Sequence, residues 1–347
     1  MKGNQLYKII STLFIVACFL FSSVTFAAAD QEIDVNIFDS TKTNIYEVLS
    51  ENQDYIWNNS FNYEGLIASQ IDDINTFDAI SADDFVFSND TFISEIDWIG
   101  GYWNINYSQG DFNWEIIFYE DRGDGMAPGE KLAGPYNYTQ SQCNPVIVED
   151  TGSVIYYLFS RELPENVLFN ASEKYWVSIN GIGPLFPQSG IAHHQNPINL
   201  HQAVFKSNYF GYNDWNNTEY VLGTANDLCF RLLEKKDTED PVIKIEKPVK
   251  GIYLFNKKVL PRIFGLPIII GDIKIKTNAS DDLGVKKVEF YAGLMGNIYL
   301  GNVTKYPYEF IWEKDRIRLI HLNQLKVVVY DYQGNTSSDK ILLRKFL

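Results

Sequence analysis

The chain of 347 residues has only three cysteines, three methionines and four histidines. Cysteine this sparse excludes a disulfide-dense framework and a cysteine-rich zinc module. No G-x-x-x-x-G-K-[ST] or G-x-G-x-x-G run occurs, so there is no nucleotide-binding signature. A G-x-S-x-G elbow and an H-E-x-x-H pair are also missing. After the first thirty residues no apolar stretch is long enough to span a bilayer. Basic residues are outnumbered, 29 Lys+Arg against 44 Asp+Glu, and a pI near 4.7 argues against a nucleic-acid partner.

Aromatic residues are plentiful. Tyr (22) and Phe (23) both favour strands, and 46% hydrophobic residues suffice for sizeable cores. The length fits two domains.

The first residues read as an export signal. Lys2 and Lys8 form a small basic region, and Ile9 to Phe26 is apolar. Ala27-Ala28-Ala29 then offers an A-x-A cleavage site before Asp30. A retained membrane anchor is one alternative. Lipidation is another, because Ile15-Val16-Ala17-Cys18 resembles a lipobox; the apolar residues that follow Cys18 count against it. Without Cys18, Cys143 and Cys229 remain, and in an exported chain they are candidates for one disulfide. The alternative is two buried free thiols.

Charge divides along the chain. Residues 241–347 hold 18 Lys+Arg against 10 Asp+Glu, whereas the remainder holds 11 against 34. An acidic module thus precedes a basic one, whose charge is solvated surface, touches the acidic half, or faces an anionic wall polymer or lipid. Nine N-x-S/T sequons, beginning at Asn58 and ending at Asn335, mark surface loops if the chain is a glycoprotein.

Residues 30–80 read as a polar extension packed on or leading into the first module, with a short helix over Thr43–Asn52. From 81 to 234, short strands alternate with Gly/Pro/Asn loops: Trp114–Glu120, Ser153–Ser160, Lys174–Asn180 and Asp227–Leu232. That rhythm predicts a jelly-roll-like antiparallel sandwich. A charged joint covers 235–240. Residues 241–347 then give six or seven strands, including the strictly alternating Asp272–Asn278, which is the size and rhythm of an Ig-like sandwich. The expected fold is all-β: two β-sandwich modules after a cleaved signal helix at 1–29, the second Ig-like.

Four strings in the last 107 residues carry a resemblance: DPVIKIEKP at 240–248, ASDDLGVKKVEFY at 279–291, YPYEFIW at 306–312 and VVVYDYQGNTSSD at 327–339. They resemble a bacterial or archaeal Ig-like module. The insert at 250–271 resembles a longer version found on archaeal surface proteins. Upstream, ADDF at 82–85, IDWIGGYW at 96–103, FYEDRGDGMAPGEKL at 118–132, EKYWVSIN at 173–180 and DLCFRL at 227–232 resemble a β-sandwich module of secreted prokaryotic proteins. That resemblance implies an accessory or display role and no general catalytic activity.

Candidate ligand groups are few. Asp121 and Asp124 lie in a glycine-rich turn that resembles part of an acidic calcium loop, but the EF-hand pattern is incomplete. Asp281, Asp282 and Asp331 are expected to converge at one end of the second sandwich, a second calcium candidate; no other cofactor is expected. The alternative in both places is a solvated Asp/Gly turn. His193, His194 and His201 lack helical ligand spacing, and adjacent histidines on a strand face opposite ways. Trp98, Tyr102, Trp103, Trp114, Tyr175 and Trp176 suit a core better than a sugar platform. Trp215, in the polar loop GYNDWNNTEY, is the exposed-aromatic candidate for ligand binding.

The sequence therefore points to a secreted or cell-surface, non-catalytic protein of adhesion type. Its expected partner is a cell-wall polymer, a glycan or another surface protein. A carbohydrate-binding module pair and a secreted hydrolase are the alternatives. Mass spectrometry of the exported protein is expected to find Asp30 at the mature N-terminus; a lipidated Cys18 there would contradict cleavage after Ala29.

Overall fold

The computed structural model describes residues 55–346 apart from 60, 73, 75, 104–111, 197, 262–264 and 314–320. The leader, Cys18, the segment Thr43–Asn52 and the sequon at Asn106 lie outside the described residues. The fold is all-β. Among the described residues, helix is confined to the turn Gln140–Cys143 and the short helix Thr218–Leu222. The chain divides into two compact units, one ending at Lys235 and the other beginning at Lys236.

The first unit is built from two large sheets. Thr91–Trp103 is central to the first, flanked by Phe230–Glu234, Gln188–His194 and Val154–Phe169. The second runs from Tyr212–Asn217 through Val204–Ser207, Phe77–Val86, Lys174–Ile182 and Asn113–Asp121 to Pro128–Thr139. Strands at Tyr55–Asn58, Gly65–Ala68 and Gln70–Asp72 are woven into these sheets. The described part of the 30–80 segment therefore belongs to the sandwich itself.

Side chains alternate across each strand, so one strand serves two layers. Trp98 turns into the main core while its neighbour Ile99 joins a separate cluster with Phe61, Leu66 and Cys229. In Asn113–Asp121, Trp114, Ile116 and Phe118 point inward and Tyr119 outward. Aromatic rings from both sheets meet in the main core. Trp98 stacks on Phe159 with centroids 5.2 Å apart, and Trp114 meets Trp98 edge-on at 5.7 Å. The Gly100-Gly101 pair is explained by this crowding. A Cβ on Gly101 would lie 2.5 Å from the Ile155 carbonyl oxygen, and one on Gly100 3.0 Å from the Trp114 ring.

The second unit pairs a three-stranded sheet (Val242–Lys247, Ile273–Ser280, Glu309–Trp312) with a larger one. In the larger sheet Thr336–Phe346, His321–Asp331, Val285–Ala292 and Ile298–Val303 are adjacent. The 250–271 insert extends its opposite edge with Ile252–Leu254, Lys257–Leu260 and Ile268–Ile270. Ile273 and Ile275 are fully buried, while Lys274 and Lys276 point outward to Glu309 at 2.9 and 2.6 Å. Phe290 stacks on Phe310 at 4.9 Å, beside the buried Trp312. Ig-like is the right description of this unit.

Truncating a fully buried tryptophan removes its packing and leaves a cavity. Trp98→Ala is expected to destabilise the first unit by about 3–5 kcal/mol, measurable as a lower urea midpoint.

Candidate functional site

Three acidic settings in the structure differ in what their carboxylate oxygens touch. The first is the glycine-rich turn after Asn113–Asp121. Asp121 Oδ2 accepts hydrogen bonds from the N–H groups of Gly123 and Gly125 at 2.7 and 2.8 Å. Its Oδ1 accepts from Trp176 Nε1 at 2.9 Å. Asp124 Oδ1 accepts from the Met126 N–H, and its Oδ2 pairs with Arg122 at 2.9 Å. Gly123 and Gly125 have φ of 101° and 72°, which glycine adopts freely. Every carboxylate oxygen of this turn thus has a donor. Asp121 and Asp124 hold the loop's shape, and they are not gathered into a cation cluster.

The second setting is buried in the first unit. Asp83 and Asp84, on Phe77–Val86, and Asp227 are all fully buried. Asp83 accepts from Asn59 Nδ2 (2.9 Å), the Leu228 N–H (2.7 Å) and the Asp84 N–H (2.9 Å). Asp84 forms an ion pair with Lys174 and accepts from the His201 N–H at 3.3 Å. Asp227 Oδ2 accepts from the Asn199 N–H at 2.6 Å, while its Oδ1 has no hydrogen-bond partner. Of the three carboxyls only Asp84 is paired with a lysine, so full ionisation is disfavoured. Burial, with the neighbouring acids, pushes Asp83 well above the usual carboxylate range. Burial raises Asp84 to about 6 against the pull of Lys174, and raises Asp227 to about 7.

The third setting is in the Ig-like unit. Asp237, Asp281 and Asp331 each bring one carboxylate oxygen to within 4.8 Å of the other two. Among the described residues this is the one group of three or more potential metal ligands so placed. Two of the three stand in matched turns. Asp281 Oδ2 accepts from the N–H groups of Leu283 and Gly284. Asp331 Oδ1 accepts from those of Gly334 and Asn335. Asp237 Oδ1 accepts from the Glu239 N–H at 2.9 Å. The other oxygen of each is buried with no hydrogen-bond partner: Asp237 Oδ2, Asp281 Oδ1 and Asp331 Oδ2. Asp331 is 1% exposed, and burial together with Asp237 and Asp282 raises the Asp281 carboxyl. The sequence singled out Asp281 and Asp331 and missed Asp237, which it placed in the charged joint. The one local signal was Asp237 two positions before Glu239, an Asx-turn spacing. Asp282 is exposed and lies outside the cluster.

The remaining candidates resolve individually. Cys143 and Cys229 are free and buried, the second of the two readings that the sequence leaves open. They belong to different hydrophobic clusters: Cys143 lies in the main core, Cys229 on the far face of the first sheet. Burial pushes the Cys143 thiol up to about 12 and Cys229 well above its usual value. Trp215 is half-buried against Tyr119, and the Lys206 ammonium sits 4.7 Å from its ring centroid. His194 is buried with neither ring nitrogen hydrogen-bonded, and burial pushes His193 down to about 4. His201 Nδ1 lies 2.7 Å from the Gln202 carbonyl oxygen. Of the sequence's aromatic candidates, Trp98, Tyr102, Trp114, Tyr175 and Trp176 are buried and Trp103 is partly buried. Trp103, with Leu66, Phe77, Phe205, Phe210 and Leu222, lines an apolar pocket of the first unit. No described helix is long and apolar enough to cross a membrane.

These features define an all-β protein whose polar side chains mostly fix turns. Residues 267–323, within the second unit, match the family model described as "Bacterial Ig domain". No curated protein matches the chain. Among solved structures, an engineered protein is 12% identical over 31% of this chain and 20% of its own, with a TM-score of 0.21. A structure titled "Biofilm associated protein - BSP domain" is 9% identical over 89% of this chain and 55% of its own, with a TM-score of 0.18. The chain thus spans about a fifth and about half of these two proteins.

The buried carboxyls of the first unit predict a pH effect. An acid whose folded pKa is raised contributes stability below its unfolded pKa and loses it as pH rises through the folded one. For Asp227 that window runs from the ordinary value of 3.8 to about 7. His193 and His194, whose pKa values are lowered, act in the opposite sense below 6.5. The difference between wild type and Asp227→Asn therefore cancels the histidines and leaves Asp227 with the acids coupled to it. The variant is expected to gain on wild type between pH 4 and about 7, by on the order of 2–4 kcal/mol, and to hold that margin above. Urea melts across pH check this; a margin constant with pH would contradict it.

Proposed function

We propose that this chain is an exported surface protein of adhesion type, with a non-catalytic role. The observation that carries the reading is the match of 267–323 to a bacterial Ig domain in an otherwise all-β chain. The predicted leader supports export. Of the sequons in described residues, Asn58, Asn89, Asn137, Asn170, Asn278 and Asn302 are exposed, as glycan acceptors on a surface protein would be. The 250–271 insert adds an edge hairpin that exposes Leu254, Phe255, Val259 and Leu260. An apolar patch on a sheet edge suits contact with another molecule better than solvent. The two mature cysteines are buried with raised pKa values, unlike nucleophilic thiolates.

The partner proposed is a wall polymer, a glycan or another surface protein of the producing cell. The exported chain is expected to co-sediment with cell envelopes and to show no turnover on ester, peptide or glycoside substrates. Phe255→Asp is expected to cut envelope binding several-fold while leaving the urea midpoint unchanged. Hydrolysis by the pure protein, a wholly soluble distribution, or envelope binding unaffected by Phe255→Asp would refute the reading.

A further inference from the structure

We propose that the Ig-like unit binds one Ca2+ through Asp237, Asp281 and Asp331. The inference rests on how each carboxylate is divided. In all three, one oxygen closes a local turn by accepting backbone N–H groups, and the other is buried without a donor. An unpartnered carboxylate oxygen taken out of water is costly. The three carboxylates also crowd one another, one oxygen of each lying within 4.8 Å of the others, so their charges repel. A divalent cation at their centre satisfies all three oxygens and reverses the sign of the interaction.

The donor set selects the cation. It is all hard oxygen, with neither histidine nor thiolate in the group, which fits Ca2+ or Mg2+ and not zinc or copper. Calcium tolerates irregular sites with a flexible ligand number, whereas magnesium demands near-ideal octahedra. The ligands come from separate places in the chain: the segment before Val242–Lys247, the turn before Val285–Ala292, and the end of His321–Asp331. The turn geometry keeps the free oxygens in place. The Gln333 side-chain oxygen also accepts from the Asp237 N–H at 2.9 Å, which fixes the segment that brings in the third ligand. The glycine-rich turn of the first unit is the internal contrast. Asp121 and Asp124 carry as many carboxylate oxygens per residue, but all of theirs have donors.

The test uses the chain from Asp30 to Leu347, stripped with chelator and titrated with CaCl2 by calorimetry, with thermal melts alongside. One Ca2+ per chain is expected, with Kd of about 10⁻⁴–10⁻³ M as in other extracellular modules, and a higher Tm in saturating calcium. Asp331→Asn should abolish binding. Because that substitution alters a buried turn, Asp237→Asn is the second variant: Asp237 is half-buried and precedes the first strand of the unit. It should weaken calcium about tenfold or more while the calcium-free Tm stays near that of wild type. No heat and no Tm shift with wild type up to about 10 mM calcium would overturn the proposal. So would an Asp237→Asn variant that binds as tightly as wild type.

Discussion

Both units depend on one constraint, the two-residue alternation of side chains along paired strands. In the first unit it sends Trp98 and Ile99 into different hydrophobic clusters on either side of one strand. In the second it separates Ile273 and Ile275 from Lys274 and Lys276. A one-residue slip would put the lysines inside and the isoleucines in water, so register and burial enforce each other. Turns are then required at fixed places, and the aspartates that make those turns are where the polar chemistry collects.

A carboxylate has two oxygens, and an Asx-type turn needs only one. What becomes of the second distinguishes the acidic settings. In the glycine-rich turn it meets Trp176 or Arg122, and the matter is closed. In the buried group of Asp83, Asp84 and Asp227, burial takes three acids out of water and only Asp84 has a lysine, so protons are retained and the pKa values are raised. In the Ig-like unit no basic side chain is paired with Asp237, Asp281 or Asp331 among the described residues; the second oxygen of each is buried without a donor, and the three carboxylates lie together. Donor, proton and cation are the three physical answers to one problem.

The strand pattern was legible because it is local. Alternation in Asp272–Asn278 and the Gly/Pro punctuation can be read without knowing what packs on what. The Asp281 and Asp331 turns were equally legible, since Asp-x-x-Gly states its own geometry, and Gly284 and Gly334 do take φ of 116° and 97°. Asp237 was not. Its role depends on a tertiary meeting with turns 44 and 94 residues away, and its own surroundings look like solvated joint. The same limit applied to Cys143 and Cys229, whose pairing depends on a spatial separation that spacing does not encode. Tyr55–Asn58 and its neighbours were assigned to an extension because their strands are short and lie in a segment of mixed, polar composition; only cross-strand pairing with distant segments makes them part of the sheets.

Export and calcium bear on each other through affinity. With three carboxylates, two of them only half-buried, the proposed site would be of modest strength, in the class typical of extracellular modules. Such a site fills in calcium-rich surroundings and stays unfilled where calcium is scarce. The apolar core of the unit does not include these aspartates, so it can form in either condition. What the cation would add is a second tie, beside the Asp237 N–H to Gln333 hydrogen bond, between the Asp237 segment and two turns of the sandwich. Stability gained from a ligand that binds only the folded form grows with its free concentration. A weak site is therefore well matched to the proposed role outside the cell, because the same three carboxylates would confer almost nothing where calcium is scarce.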